Sequence, residues 1–279
     1  MADFPSPLNT LESSGSIGGC ILNLQGKTAL ITGASRGIGR AIALELAQAG
    51  LQRLILVARS PDQLQQVAQE ITAQTGIEVH ILPLDLTQPI EVNTAIAKTW
   101  RDQGPIHLLV NCAGVAYQAS FLDSRLPEVY QEISLNLLGL YAITRCVARR
   151  MVHQKAGAIV NVSSLMGKVA APTMATYSAT KFAILGFSQA LRRELAPHNI
   201  EVIAFLPTLT DTDMVKDLQR FRWVRPMTPK RVAKILVRGL KKGQKEILVG
   251  WQSHLAVWCQ QLAPALMDRI LLWTAPQSV

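Results

Sequence analysis

A tyrosine and a lysine four residues apart, Tyr177 and Lys181, could carry acid–base chemistry if they share a helix. A free tyrosine is a poor catalyst of this kind because its pKa is about 10. Residues i and i+4 lie on one helix face, so we expect the Lys181 ammonium beside the Tyr177 ring. That positive charge predicts a Tyr177 pKa lowered toward neutral pH. If the Ser164 hydroxyl holds a carbonyl oxygen, the three side chains could protonate a C=O or deprotonate an alcohol.

A glycine-rich turn lies between an apolar segment, Lys27–Thr32, and an amphipathic segment that ends near Gly50. Gly33 permits a tight turn, Gly37 lets the backbone approach a pyrophosphate, and Gly39 lets helix and strand pack closely. The N-terminus of the following helix points free N–H groups at phosphates. The spacing differs from the commoner G-x-G-x-x-G, but the strand–helix context favours a nucleotide site over a simple turn. The predicted members of this site are Gly33, Ser35, Arg36, Gly37, Ile38 and Gly39.

The residue after the second apolar segment, Arg53–Ala58, indicates which dinucleotide would bind. A site that prefers NAD places an acid there to hold the ribose 2′-OH. This chain has Arg59 instead, and Arg36 lies in the glycine turn. Guanidinium groups bind phosphate in a bidentate, charge-assisted way. The sequence therefore predicts NADP(H) rather than NAD(H), with a pair of solvated surface arginines as the alternative.

Short apolar segments alternate with amphipathic segments along most of the 279 residues. Such alternation predicts an α/β fold in which helices cover both faces of a parallel sheet. We assign residues 24–250 to this single domain, residues 1–23 to a flexible extension and residues 251–279 to a C-terminal extension. The predicted strands are Lys27–Thr32, Arg53–Ala58, Glu78–Leu82, Ile106–Val110, Ala158–Val162, Glu201–Phe205 and Glu246–Val249. One long helix is expected from Pro127 to His153, and the Tyr177 helix is expected to extend to Ala196.

The motifs taken together resemble the short-chain dehydrogenase/reductase family. They are TGASRGIG at Thr32–Gly39, Asn111-Cys112-Ala113-Gly114, Asn136, Ser164, Tyr177 and Lys181. The resemblance covers about Leu24 to Gly250. It implies a single Rossmann-type, doubly wound domain with a seven-stranded parallel sheet, a homodimer or homotetramer, and catalysis without a metal.

The resemblance also implies a role for each catalytic position. Tyr177 would be the general acid/base, and Lys181 would lower its pKa and hydrogen-bond the nicotinamide ribose. Ser164 would orient the substrate carbonyl, and Asn136 would hold a water in a proton relay behind Lys181. Ser163 is the competing serine, but the distance in sequence from Ser164 to Tyr177 matches the family.

The remaining family positions would border the cofactor. They are Asp85 near the adenine, Leu86, Asn111, Ala113, Gly114, and Thr212 at the nicotinamide amide. Two positions depart from the family pattern. Cys112 stands where the family often has Asn, and Pro207-Thr208 stands where Pro-Gly is usual, which predicts a stiffer loop before Thr212.

The net charge of +9 is concentrated in one region. Eleven Lys or Arg and a single acid lie between Lys216 and Lys245. This region could be a solvated helix face, or it could attract anionic lipid or an acidic partner. Its segment Arg220-Phe221-Arg222-Trp223 pairs basic and aromatic residues, but we expect no nucleic-acid binding. The four cysteines (Cys20, Cys112, Cys146 and Cys259) and five histidines are too scattered for a disulfide framework or a metal site, which favours a reducing, cytoplasmic compartment.

The C-terminal extension carries an apolar stripe of helical period. Its members are Leu255, Trp258, Leu262, Leu266, Ile270 and Trp273, and Pro264 is expected to divide it into two helices. Polar and charged residues interrupt the stripe, so a transmembrane span is not expected. Three interpretations remain open: packing on the domain or a second subunit, peripheral contact with a membrane, or capping of a pocket for a long apolar substrate.

These features predict an NADPH-dependent oxidoreductase that reduces a carbonyl to an alcohol, or catalyses the reverse. The family resemblance also implies a substrate lid in the region that contains Met214 and Leu218. These two apolar residues and the tryptophan-rich extension favour an acyl or lipid-like ketone over a sugar. The alternative is a non-catalytic NADP-binding sensor or scaffold. That alternative predicts a degraded catalytic set, whereas all four catalytic positions are intact.

Overall fold

A single parallel sheet of seven strands forms the centre of the protein, in the order β3-β2-β1-β4-β5-β6-β7. The computed structural model describes residues 22–216, 218–219, 221 and 226–275. The strands are β1 Thr28–Thr32, β2 Arg53–Ala58, β3 Glu78–Pro83, β4 Leu108–Asn111, β5 Gly157–Val162, β6 Ile200–Leu206 and β7 Glu246–Leu248. The predicted α/β, doubly wound fold is therefore confirmed, and each predicted strand is present within two residues of its expected bounds.

Helices cover both faces of this sheet. They are α1 Gly37–Gln48, α2 Pro61–Thr75, α3 Pro89–Gln103, α4 Leu126–Ile133, α5 Leu140–Gln154, α6 Ala175–Leu195, α7 Pro229–Lys241, α8 Trp251–Leu262 and α9 Pro264–Thr274. Side chains alternate across a strand, so Ala29 and Ile31 of β1 pack with α1, α2 and α7. Leu30 between them faces the other way and packs with α3 and α5. Two apolar cores result, one on each side of the sheet.

Proline sets the start of several helices. It occupies the first helical position of α2, α3 and α7, where its missing N–H costs nothing. In α7 the Thr228 hydroxyl also accepts a hydrogen bond from the Arg231 N–H at 3.4 Å. The inner face of α7 is buried, which leaves its basic residues on the solvent side.

The predicted long helix from Pro127 to His153 is helical throughout, from Leu126 to Gln154, but it is not α-helical along its whole length. A π-helical turn, Ser134–Gly139, separates α4 from α5. A π-helical turn widens a helix locally and often marks a functional position. Asn136, one of the predicted site residues, lies within it.

The C-terminal extension forms two helices, α8 and α9, and Pro264 begins the second. Val257 and Met267 face inward and pack with Leu165, Val169 and Leu248. The outer side exposes the large apolar residues Trp251, Leu255, Trp258, Leu262, Leu266, Ile270, Leu272 and Trp273. Among the described residues, no helix is both long enough and apolar enough to cross a membrane.

Two predictions lie outside the described residues. One is the flexible extension, of which only Leu22 and Asn23 are described. The other is most of the basic–aromatic segment, Arg220, Arg222 and Trp223.

Candidate active site

The glycine turn lies where the strand order reverses, between β1 and its neighbour β4. Ligands of open α/β sheets bind in the crevice at such a point. Gly33 and Gly37 have backbone φ angles of +67° and +56°, which residues other than glycine rarely adopt. A Cβ on Gly33 would lie 2.8 Å from Ala113 Cα, and one on Gly39 would collide with the Gly33 carbonyl. The turn therefore requires glycine at these positions.

Thr32, which the sequence did not single out as a site residue, ties the two loops at this point together. Its hydroxyl oxygen accepts hydrogen bonds from the N–H groups of Cys112 at 3.0 Å and Ala113 at 3.1 Å. A buried threonine at the end of β1 thus fixes the loop after β4 against the glycine turn.

The N-terminus of α1 is open toward the same crevice. Arg36 precedes the helix in an extended conformation, and no side chain caps the first turn. The first N–H groups of a helix otherwise lack partners, and phosphate oxygens satisfy them well. The side chains of Arg36 and Arg59 are exposed. A dinucleotide that carries a 2′-phosphate fits this arrangement. The glycine backbone and the open helix end can bind its pyrophosphate, and the two guanidinium groups can bind the 2′-phosphate.

The other predicted cofactor residues lie at the same edge of the sheet, but several present only backbone. Asp85 accepts hydrogen bonds from the Thr87 N–H at 2.9 Å and hydroxyl at 2.8 Å. The Leu86 side chain is buried against Gly139, and Ile38, in the first turn of α1, packs on the core. Thr212 lies over the turn, since a Cβ on Gly37 would be 3.2 Å from its methyl carbon.

The Asn111 side chain does not face the crevice. Its Nδ2 donates to the hydroxyl of Thr144 and to Oδ1 of Asn161, both at 2.8 Å. Asn161 donates in turn to the Ser188 hydroxyl at 2.9 Å. This buried chain of hydrogen bonds links α5, two strands and α6, so only the backbone of Asn111 borders the proposed cofactor.

Tyr177 and Lys181 lie one turn apart on α6, as predicted. The Lys181 ammonium nitrogen is 5.4 Å from the centroid of the Tyr177 ring and donates to the Val162 carbonyl at 3.1 Å. The Ser164 side chain hydrogen-bonds the Tyr177 phenol. Ser163 is directed elsewhere, because its hydroxyl donates to the Lys181 backbone carbonyl at 2.8 Å.

The expected lowering of the Tyr177 pKa is wrong for this arrangement. Loss of hydration raises the pKa of Tyr177 to about 12, and the hydrogen bond from Ser164 opposes this only in part. Burial also lowers the pKa of Lys181 to about 8, so part of the expected cation is lost in slightly alkaline solution. At neutral pH the site therefore holds a protonated phenol, ready to donate its proton.

Asn136 fixes the loop that follows β4. Its Oδ1 accepts from the Val115 N–H at 2.8 Å, and its Nδ2 donates to the Val115 carbonyl at 2.9 Å and to the Thr180 hydroxyl at 3.3 Å. A Cβ on Gly114 would lie 3.1 Å from the Asn136 oxygen and 3.7 Å from the Lys181 nitrogen. The absence of a side chain at Gly114 therefore lets the loop pass close to both.

Glu132, one turn before Asn136, was missed from the sequence. It is 1% exposed and accepts the Tyr117 N–H at 3.0 Å. Burial raises the pKa of its carboxyl to about 7. The only signal in the sequence was its i, i+4 relation to Asn136, which places both side chains on one helix face.

An open cleft adjoins this cluster. Tyr117, Phe121 and Val129 line it on one side, and Thr173 and Thr176 line it on the other. The fold and the site together define a dinucleotide-binding oxidoreductase.

Comparison with known proteins agrees with this class. Residues 27–223 match the family model for short chain dehydrogenase. A 3-oxoacyl-[acyl-carrier-protein] reductase FabG of Aquifex aeolicus (strain VF5) is 34% identical over 225 residues, 77% of this chain and 90% of its own length. The ketoacyl reductase HetN of Nostoc sp. (strain PCC 7120) is 30% identical and covers 90% of each chain. A short-chain dehydrogenase from Sphingobium yanoikuyae, solved in complex with NADPH, superposes with a TM-score of 0.76 at 30% identity, covering 91% of this chain and 98% of its own.

The chain belongs to the short-chain dehydrogenase/reductase family. The family model spans more than half of its length.

Proposed function

We propose that this protein uses NADPH to reduce the ketone of an acyl or lipid-like substrate. The chain is an NADP(H)-dependent oxidoreductase that interconverts a carbonyl and an alcohol. The observation that carries the proposal is the Tyr177 phenol, hydrogen-bonded to Ser164 and adjacent to Lys181 at the edge of the sheet where the glycine turn lies. Bound NADPH would supply the hydride for the carbonyl carbon.

The side chains of this protein would handle the carbonyl oxygen. Ser164 would hold that oxygen by a hydrogen bond, and the Tyr177 hydroxyl would protonate it. Lys181, buried and fixed to the Val162 carbonyl, would stabilise the phenolate left behind. Asn136 would keep the Val115 loop in place, so that the cleft and the phenol stay aligned.

An acyl substrate is favoured by the surroundings of the cleft. Large apolar side chains are exposed at Phe121, which lines the cleft, and at Leu122, Leu126 and Tyr130, which are next to lining residues in sequence. Two relatives, from Aquifex and Nostoc, are named as reductases of 3-oxoacyl or ketoacyl substrates. An apolar rim can accept an alkyl chain, whereas a sugar would require several hydrogen-bonding groups.

A substrate panel tests this proposal. NADPH oxidation should be fastest with 3-oxoacyl thioesters. The value of kcat/KM should rise roughly fourfold for each additional buried methylene, because burying one methylene contributes about 0.8 kcal/mol. Short sugar ketones at equal concentration serve as the comparison. Equal turnover of sugar ketones, or no dependence on chain length, would contradict the acyl assignment but leave the reductase chemistry intact.

We also propose that residues 24–250 form the catalytic domain of a homodimer or homotetramer in the cytoplasm. Exposed apolar side chains on α5, α6 and the turn between α4 and α5 support self-association. They are Leu138, Tyr141 and Phe182. The Tyr141 ring also packs against Phe187, with centroids 5.7 Å apart, which gives this patch a defined shape.

We propose that the outer face of α8 and α9 contacts a membrane surface. Trp251 and Trp258 are 73% and 66% exposed, and tryptophan prefers the lipid–water interface. Replacing both with alanine should weaken co-sedimentation with anionic phospholipid vesicles by about tenfold or more, since each loses most of a large apolar contact.

The fold should survive these two changes, because both side chains point away from the packing around Val257 and Met267. Phe121→Ala with Leu122→Ala is the matched control, as it removes two exposed apolar side chains elsewhere. Equal loss in both double variants, or no sedimentation of the natural chain, would exclude the α8–α9 surface as the contact.

A further inference from the structure

Glu132 is a buried carboxyl group beside the proposed proton donor, and the reaction described above gives it no role. It lines the cleft, is almost fully buried, and belongs to α4, which packs against α6. Its Oε1 atom accepts the Tyr117 N–H at 3.0 Å. Asn136, one turn later, binds Val115 at both its N–H and its carbonyl. The two side chains therefore hold alternate residues of the same cleft wall.

The charge of Glu132 reaches the site on α6. When ionised, Glu132 raises the pKa of Tyr177 and also raises the pKa of Lys181. Both effects have the same physical cause, because a nearby negative charge disfavours the phenolate and favours the ammonium. Lys181 acts in return on Glu132 by lowering the pKa of its carboxyl. These three groups thus form one electrostatic cluster.

The other ionisable groups around this cluster are few among the described residues. Glu128, on the same helix as Glu132, raises the Glu132 pKa slightly and is paired with Arg125. The loop after β4 contributes the Tyr117 N–H, while the Tyr117 phenol donates to Gln131 at 2.7 Å. Cys112 faces Tyr177 and Lys181, but burial raises the pKa of its thiol to about 12, so it stays neutral.

We propose that Glu132 is a positioning residue for the carbonyl reduction, acting on Tyr177 and Lys181 through its charge and on the cleft wall through its bond to Tyr117. This proposal rests on the proposed function of the same site. A carboxylate in this place keeps the phenol and the ammonium in the forms that donate a proton. It therefore extends to higher pH the range in which the site is protonated for reduction of a ketone.

The variant Glu132→Gln separates charge from shape. Glutamine keeps an oxygen that can accept the Tyr117 N–H, but it carries no charge. The pKa of Lys181 should then fall by on the order of one unit, the usual effect of one neighbouring charge at a partly buried site. The basic limb of kcat/KM for ketone reduction should move to lower pH by the same amount.

The Lys181 titration can be measured without turnover. Lysine labelled with ¹³C at the ε carbon gives an NMR signal for Lys181 that is assigned by its loss in Lys181→Met. Glu132→Asp keeps the charge and should retain most of the natural pKa. Glu194→Gln is the control, since it removes an exposed carboxylate from the same helix as Lys181.

The outcomes are distinct. A Lys181 pKa that falls in Glu132→Gln but not in Glu194→Gln supports the proposal, and an unchanged pKa in folded Glu132→Gln overturns it. A second measurement needs no variant. The chemical shift of Lys181 in the natural protein, plotted against pH, should show an inflection near pH 7, where Glu132 ionises. Absence of that inflection also overturns the proposal. Failure of the natural protein to oxidise NADPH would refute the proposed function and leave the NMR result intact.

Discussion

Tyr177→Phe is expected to lower kcat/KM for ketone reduction by roughly 100- to 10,000-fold, the usual contribution of a general acid. Phenylalanine keeps the ring that packs beside Lys181 and removes only the hydroxyl. The affinity for NADPH should therefore change by less than about twofold. The corresponding change in binding free energy is well below the contribution of one hydrogen bond. Stopped-flow oxidation of bound NADPH measures the chemical step, and fluorescence titration measures cofactor affinity.

Tyr130→Phe is the matched control for this experiment. Tyr130 is 67% exposed, so its hydroxyl is hydrated and far less constrained. Its removal should leave the chemical step nearly unchanged. Undiminished turnover in Tyr177→Phe would refute the proposed mechanism. A natural protein that binds NADPH but reduces no ketone would instead support the non-catalytic sensor or scaffold.

The pKa values of this site bear on the direction of the reaction. Reduction consumes a proton and needs the phenol, while oxidation needs the phenolate. With the Tyr177 pKa at about 12, the phenol predominates throughout the neutral range. The Lys181 pKa of about 8 places the loss of the ammonium in mildly alkaline solution. Activity in the direction of reduction should therefore be retained below this pH and decline as the pH rises through it.

Much of the fold could be predicted because its signals are local. Most strands are apolar runs, and β1, β3, β4 and β6 end at or directly before Gly, Pro or Asn. Prolines at positions 61, 89 and 229 mark the starts of three helices. The π-helical turn around Asn136 could not be predicted in this way. It accompanies contacts that are distant in sequence: Asn136 with Val115, and Gly139 with Leu86. No periodicity within residues 126–154 contains that information.

The chemistry of the site was predictable in part. The spacing of Tyr177 and Lys181 was enough to predict that the two share a helix face. It could not give the Tyr177 pKa, because loss of hydration depends on everything that surrounds the ring. Glu132 was missed for a related reason: a glutamate in an amphipathic helix is usually solvated, and only the packing of α4 on α6 reveals that it is buried.

The choice of cofactor depends on two exposed arginines whose role is still a proposal. Arg59 follows β2 directly, at the position where an acid would bind a free ribose. The hydrogen bond of 3.2 Å from the Ala34 N–H to the Val57 carbonyl joins the glycine turn to the end of that strand. Arg36 and Arg59 therefore belong to connected segments at one edge of the sheet, where a 2′-phosphate would lie.

Arg59→Asp should raise the KM for NADPH by roughly 100-fold, because it removes a charge-assisted contact worth about 1.5–3 kcal/mol and adds repulsion. The KM for NADH should change little or fall, since aspartate can accept a hydrogen bond from the ribose 2′-OH. Steady-state kinetics with both cofactors and one ketone give the ratio of the two effects. An equal rise in both KM values would refute the assignment of Arg59 to the 2′-phosphate.

The net charge of +9 attracts the anionic cofactor over a long range. An experiment must distinguish this general attraction from a direct contact between Arg59 and the 2′-phosphate. Arg193→Asp makes the same change of two charges at an exposed position on α6, remote from the glycine turn in sequence and on another helix. Any loss of general attraction should affect NADPH about equally in the two variants and should fade with added salt. Selectivity between NADPH and NADH should change only in Arg59→Asp and persist at high salt, because a direct phosphate contact is screened far less than a distant charge.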